Sequence, residues 1–139
     1  MPNVLVDTGI WFALFDTKDS HHREAREKET ILGTLSIVIA WPVLYETLNT
    51  RFARNRQALR RFEEVLKRPR AVILDDRPYR EEALELVFET SLRQSRPLSL
   101  TDCILRLVLD DPGTHIDYLA TFNLPDFMDV CRRRRVELL

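Results

Sequence analysis

The feature that most constrains this chain is an alternation, repeated along its length, of short apolar runs with helical patterns. The first run, Val4, Leu5 and Val6, ends on Asp7, Thr8 and Gly9, and an apolar turn or two of helix follows over 10–15. Runs this short, bounded by turn signals, suit strands buried on both faces, the strand type of a parallel sheet flanked by helices. Further strands are expected at 36–39, 71–74, 118–122 and 136–138. Between them, helices are expected at 21–32, from Pro42 to about Arg54, on to about Lys67, over 78–94, from Ser99 to the 110–113 break, and over 125–133. Strands and helices in this order predict an α/β fold, a three-layer sandwich around a central parallel sheet of four to five strands.

At 139 residues the chain reads as one domain spanning 1–139, large enough to bury a core without staples. A hydrophobic content of 45% beside 31% charged residues fits a soluble globular protein rather than a disordered one. The net charge of −1 gives no overall pull toward nucleic acid, so any such contact must come from a local patch. Cys103 and Cys131 lack metal-ligand spacing and nothing at the N-terminus resembles a leader, which points to a cytoplasmic protein with reduced thiols. No apolar run approaches the roughly 20 residues of a membrane span.

The alternation brings acidic residues from distant segments to one edge of the sheet. Asp7 ends the first strand, and in open α/β sheets ligands bind at that carboxyl edge. Glu46 lies in the first turns of the helix after the second strand, and Asp102 in the first turn of the helix opened by Ser99. After the fourth strand, Asn123 and Asp126 offer an amide and a carboxylate. Each has an ordinary structural explanation. Asp7 could cap its helix. Glu46 could be a solvated helix residue. Asp102 has capping-box spacing to Ser99 and ion-pair spacing to Arg106. Gathered together, however, carboxylates disfavour one another's charge unless a cation is present. An all-oxygen set without thiolate or imidazole suits Mg²⁺ or Mn²⁺.

The segments Val4–Leu5–Val6–Asp7–Thr8–Gly9–Ile10–Trp11, Val43–Leu44–Tyr45–Glu46–Thr47–Leu48 and Leu98–Ser99–Leu100–Thr101–Asp102–Cys103 resemble the three acidic motifs of PIN-domain proteins, including toxin ribonucleases of VapC type. The resemblance spans essentially the whole chain. It implies metal-dependent RNA cleavage, with Asp7, Glu46 and Asp102 as catalytic carboxylates on the metal and Thr8 as an accompanying hydroxyl. It also implies a homodimer and a small antitoxin as partners. The departure is Asn123, where many members carry an aspartate; Asp126, one short turn on, is the candidate to compensate.

An acidic pocket repels phosphate, so substrate needs a positive surface. Arg51, Arg54, Arg56, Arg60, Arg61, Lys67, Arg68 and Arg70 follow Glu46 against only Glu63 and Glu64, and the first three are the RNA-binding candidates. The Arg132–Arg135 run, by contrast, is expected to complement the dipole of the last helix. His21 and His22 are expected on the surface, and Trp11, Phe12 and Phe15 in the core. Two rival readings stand beside the ribonuclease. One is a degenerate, non-catalytic PIN domain that binds RNA or protein, motivated by Asn123. The other is a phosphoryl-transfer domain with Asp7 as nucleophile, disfavoured because no second aspartate lies two residues on and no glycine-rich phosphate cradle is present.

Overall fold

Val4, Leu5 and Val6 are wholly buried, as a strand with helices on both sides requires. They form the centre of a five-stranded sheet in a computed structural model that describes residues 1–139. The elements in chain order are β1 (Asn3–Val6), α1 (Thr8–Phe15), α2 (His22–Leu32), β2 (Ser36–Ala40), α3 (Trp41–Thr47), α4 (Thr50–Arg54), α5 (Arg56–Leu66) and β3 (Ala71–Leu74). They continue with α6 (Arg80–Phe88), α7 (Leu100–Asp110), β4 (Tyr118–Ala120), α8 (Met128–Arg134) and β5 (Glu137–Leu138). All strand pairs are parallel, in the order β3-β2-β1-β4-β5. The expected α/β/α sandwich is therefore the observed architecture.

The strand order explains where the helices go. The chain steps from β1 to β2 to β3 in one direction, then returns to place β4 on the other side of β1. Right-handed crossovers put the helices of the two directions on opposite faces. Accordingly α1 packs with α2 and α5, while α7 packs with α6 and α8. The direction of winding reverses between β1 and β4, which makes the carboxyl ends of these two strands the topological switch point. Asp7 leaves β1 at that point and its N–H still donates to the Ala120 carbonyl of β4 at 3.0 Å.

The core takes its bulk from aromatic residues on one side of the sheet. Trp11 is 1% exposed and its ring stands 5.1 Å from Phe62, while Phe15 lies edge-on to both Phe52 and Phe62 at 6.0 Å. Cys103 and Cys131 are buried free thiols. No helix is long and apolar enough to cross a membrane.

Several boundaries differ from the sequence reading. The helix expected from Pro42 to Arg54 is two helices, because Asn49 starts a new one by accepting from the Phe52 N–H at 3.0 Å. The helix expected over 78–94 begins as a 3₁₀ turn at Arg77–Tyr79 and ends in a π-turn at Glu89–Arg93, where the Thr90 hydroxyl donates to the Leu86 carbonyl. The last helix starts at Met128 after a 3₁₀ turn over Leu124–Asp126.

Candidate active site

Asp7 is only 4% exposed, yet both of its oxygens are satisfied. Oδ1 accepts from the Thr8 N–H at 2.7 Å, so it does cap α1, and Oδ2 accepts from the Thr121 hydroxyl at 2.9 Å. Thr121 is held in turn, its Oγ1 accepting from the Asn123 N–H at 3.0 Å. Thus the residue following β4 fixes the carboxylate following β1. Thr121 is the site residue that sequence reasoning missed, since its partner Asp7 lies on a strand that only the assembled sheet brings beside it.

Thr8 joins a second element to the first. Its hydroxyl donates to Glu46 Oε1 at 2.7 Å, which steers an otherwise exposed side chain on α3 back toward Asp7. Its neighbours Tyr45 and Leu48 are 77% and 40% exposed, so the apolar residues of this segment do not enclose Glu46 on the surface side.

Asp102 sits in the first turn of α7, which Ser99 caps. Ser99 Oγ accepts from the Asp102 N–H at 3.0 Å, the first half of the capping box that the spacing suggests. The ion pair with Arg106 that the spacing of Asp102 permits is not made. Arg106 reaches instead across to α8, where it forms a bidentate pair with Asp129 at 2.7 Å and donates to the Asp126 carbonyl at 2.7 Å. A fork of five donors matches a carboxylate better than a neighbouring helix position can arrange. Arg96 adds a bond to the Pro125 carbonyl at 2.8 Å. Together they pin the turn that carries Asp126.

The electrostatics show which charges feel one another. Burial pushes the Asp7 carboxyl up to about 6; the bonds from Thr121 and Thr8 oppose this, and the charges of Asp102 and Glu46 add to it. Asp102 is raised as well, by burial first and then by the charges of Asp126 and Glu46. Asp7, Glu46, Asp102 and Asp126 thus form one electrostatically coupled acidic set. Asn123 lies exposed at its edge. As the side chains stand, however, no group of three or more His, Cys, Asp or Glu residues is gathered tightly enough to hold a metal ion. Glu46 is engaged by the Thr8 hydroxyl instead. The donor chemistry nevertheless suits a hard divalent cation, since every candidate is an oxygen ligand and a cation would relieve the repulsion that raises Asp7.

Of the positive stretch, Asn49 fixes α4 to the Glu46 segment, its Nδ2 donating to the Glu46 carbonyl at 3.0 Å. Arg51, Arg54 and Arg56 are exposed on α4 and at the start of α5. Arg61 and Lys67 are engaged by Glu29 and Glu63. In the C-terminal run, Arg133 and Arg134 bind Asp110 on α7 at 3.0 and 2.9 Å, beyond their place in the last turn of α8.

The sequence profile of the PIN domain matches residues 4–108, from β1 through most of α7. The chain belongs to the PIN-domain family. The solved structure of the Mycobacterium tuberculosis toxin VapC20, described as cleaving the sarcin-ricin loop, superposes with a TM-score of 0.69. The two share 21% identity over 91% of this chain and 94% of that one, a likeness of fold. No curated protein sequence matches the chain. Within this PIN domain, the segments that carry Asp7, Glu46 and Asp102 all fall inside the matched region.

Proposed function

We propose that this PIN domain is a metal-dependent ribonuclease that hydrolyses RNA phosphodiester bonds, and that it is the toxin of a toxin-antitoxin pair. The supporting observation is the coupled acidic set at the switch point, above all a nearly inaccessible Asp7 raised to about 6 beside Glu46 and Asp102. A protein keeps charges in such conflict where function uses them. RNA as the substrate class comes from the likeness to VapC-type toxins.

Asp7, Glu46 and Asp102 would hold Mg²⁺ or Mn²⁺, with Asn123 and Asp126 in support. The cation would supply Lewis acidity, making water a stronger nucleophile and offsetting charge on the phosphate. The chain's own residues do the positioning. Thr8 and Thr121 fix both oxygens of Asp7 while Thr8 also orients Glu46, and the Ser99 cap fixes Asp102 on α7. Arg51, Arg54 and Arg56 would draw the phosphate backbone toward a site that otherwise repels it. A homodimer or a small antitoxin has apolar surface to use, since Leu84, Phe88 and Leu92 form an exposed stripe.

A non-catalytic PIN domain that binds RNA or protein is the second reading. It is the better match to the side chains as they stand, because no ready ligand group is formed and Asn123 brings no charge. Incubating the purified chain with structured and single-stranded RNA separates the two. The ribonuclease cuts only with Mg²⁺ or Mn²⁺ and stops with chelator, whereas the binding module retards RNA without cutting it.

Asn123 gives a further test. Asn123→Asp restores a fourth carboxylate, and calorimetric titration should then show about ten-fold tighter Mn²⁺ binding than in the parent. Equal affinity would place this position outside the metal's surroundings and leave Asp126 as the fourth acid.

A further inference from the structure

Beside the acidic set, on the β4 side, stands an aromatic stack to which the catalytic reading gives no task. Phe122 follows Thr121, the residue that holds Asp7, and its ring lies over Gly9 in the first turn of α1. A Cβ at Gly9 would meet Phe122 Cδ2 at 3.8 Å. The half-buried ring packs on the core. His21 lies flat on it, with ring centroids 4.2 Å apart and planes within 12°, the closest aromatic pair in the chain. The His21 side chain is 50% exposed, so one face rests on Phe122 while solvent reaches the other. Glu24 Oε2, 3.3 Å from Nδ1, holds the edge of the ring. The Lys28 ammonium lies 5.8 Å from the Phe122 centroid and donates to the Leu139 carbonyl. His22, by contrast, is tied down by the Ala13 carbonyl at 2.7 Å.

A flat ring, backed rigidly on one side and open on the other, with an ammonium close by, meets the needs of an unpaired base. Every base has a π-face, so such stacking tolerates any sequence, and a base locked in a duplex has no free face to offer. We infer that His21 and Phe122 form a nucleobase subsite, which takes one unstacked base of single-stranded RNA next to the scissile phosphate at the acidic set. This rests on the RNA reading above and narrows its substrate to an unpaired segment.

The test uses the full chain carrying Asp102→Asn, so that binding is read without cleavage, and a fluorescein-labelled single-stranded oligoribonucleotide containing 2-aminopurine. Binding should quench the 2-aminopurine. His21→Ala should weaken binding about ten-fold and remove the quench, while His21→Phe restores both. In the otherwise unaltered chain, His21→Ala should raise KM with kcat nearly unchanged. The melting temperature of His21→Ala should match the parent's, since the side chain is half exposed. RNA binding and quench both unchanged in His21→Ala would overturn the subsite while leaving the nuclease intact. Absence of RNA binding by the parent and the Asp102→Asn chain alike would overturn both readings.

Discussion

Replacing Asp7 by Asn is expected to make the metal-free protein more stable at neutral pH while abolishing its response to Mn²⁺. Asp7 is nearly inaccessible and its carboxyl is pushed from 3.8 up to about 6 by burial and by the charges of Asp102 and Glu46. A shift of about two units corresponds to roughly 3 kcal/mol lost when the folded chain carries the ionised group, at about 1.4 kcal/mol per unit. Because the folded-state value lies above the unfolded one, the folded chain holds the proton more tightly. This contribution to stability is therefore full below about pH 4 and is lost as pH rises through about 6.

An amide in place of the carboxylate removes the ionisation and keeps the contacts. Its oxygen still accepts from the Thr8 N–H, and its nitrogen can donate to Thr121 Oγ1. Thermal melts of metal-free protein should show Asp7→Asn more stable by about 1 to 3 kcal/mol at pH 7.5 and nearly equal to the parent at pH 4. Mn²⁺ should raise the parent's melting temperature, more at pH 7.5 than at pH 5.5 because protons compete for the same oxygens, and should leave Asp7→Asn unmoved. A variant no more stable than the parent at neutral pH would mean that the bonds from Thr8 and Thr121 outweigh the burial of charge.

How far such a site can be read from sequence depends on whether each partner is local. Asp7 was legible because an apolar run stopping at an acid marks the carboxyl end of a buried strand, and that edge is where α/β sheets bind ligands. The place of Asp102 was legible with its cap, since Ser99 three residues ahead supplies the hydroxyl that accepts from the Asp102 N–H. What depended on strand neighbours was not legible. Nothing near Thr121 says that β4 lies beside β1, so its bond to Asp7 emerges only when the sheet is assembled. The same holds for Arg106. Local spacing favoured Asp102, but α8 brings Asp129 within bidentate reach, and a planar fork takes the better geometry. His21 was expected to be a plain surface residue because helix periodicity cannot foresee Phe122 arriving from the far end of the chain.

The break at Asn49 is a different case. Its cap is written in the sequence, but the apolar spacing from Leu44 to Phe52 runs across it and masks the boundary. Asp7, Glu46 and Asp102 were expected as joint ligands, whereas no group of three is gathered tightly enough to hold a cation. A sequence shows which segments converge, not which rotamer each side chain adopts, and Glu46 here turns to the Thr8 hydroxyl.

Asp102→Asn should separate the two readings of the site most sharply, with a loss of RNA cleavage of about a hundred-fold or more and little change in fold. Changing groups that merely support a metal's ligands costs about 10- to 100-fold, so loss of a ligand's charge should cost at least that. The structural task of Asp102 is local. The Asp102 N–H, not its carboxylate, makes the cap with Ser99 Oγ, and Asn keeps that N–H, so stability should be kept to within about 1 kcal/mol. The charge of Asp102 has two roles. One is the favourable position in the first turn of α7, where the helix dipole favours an anion, and losing it costs a few tenths of a kcal/mol. The other is its field on Asp7, whose carboxyl should fall slightly when the neighbouring charge goes and stay raised by burial, the larger cause. A structural Asp102 would tolerate the amide and leave cleavage intact. If the parent cuts in Mn²⁺ and Asp102→Asn does not, at equal stability, the lost function belongs to the charge and hence to the cation it would help to hold. If both cut equally, Asp102 is structural and its charge holds no cation that the cleavage needs. If neither cuts and both retard RNA alike, the fold works as a binding module, and Asn123, which leaves the set one charge short, becomes the residue that explains why.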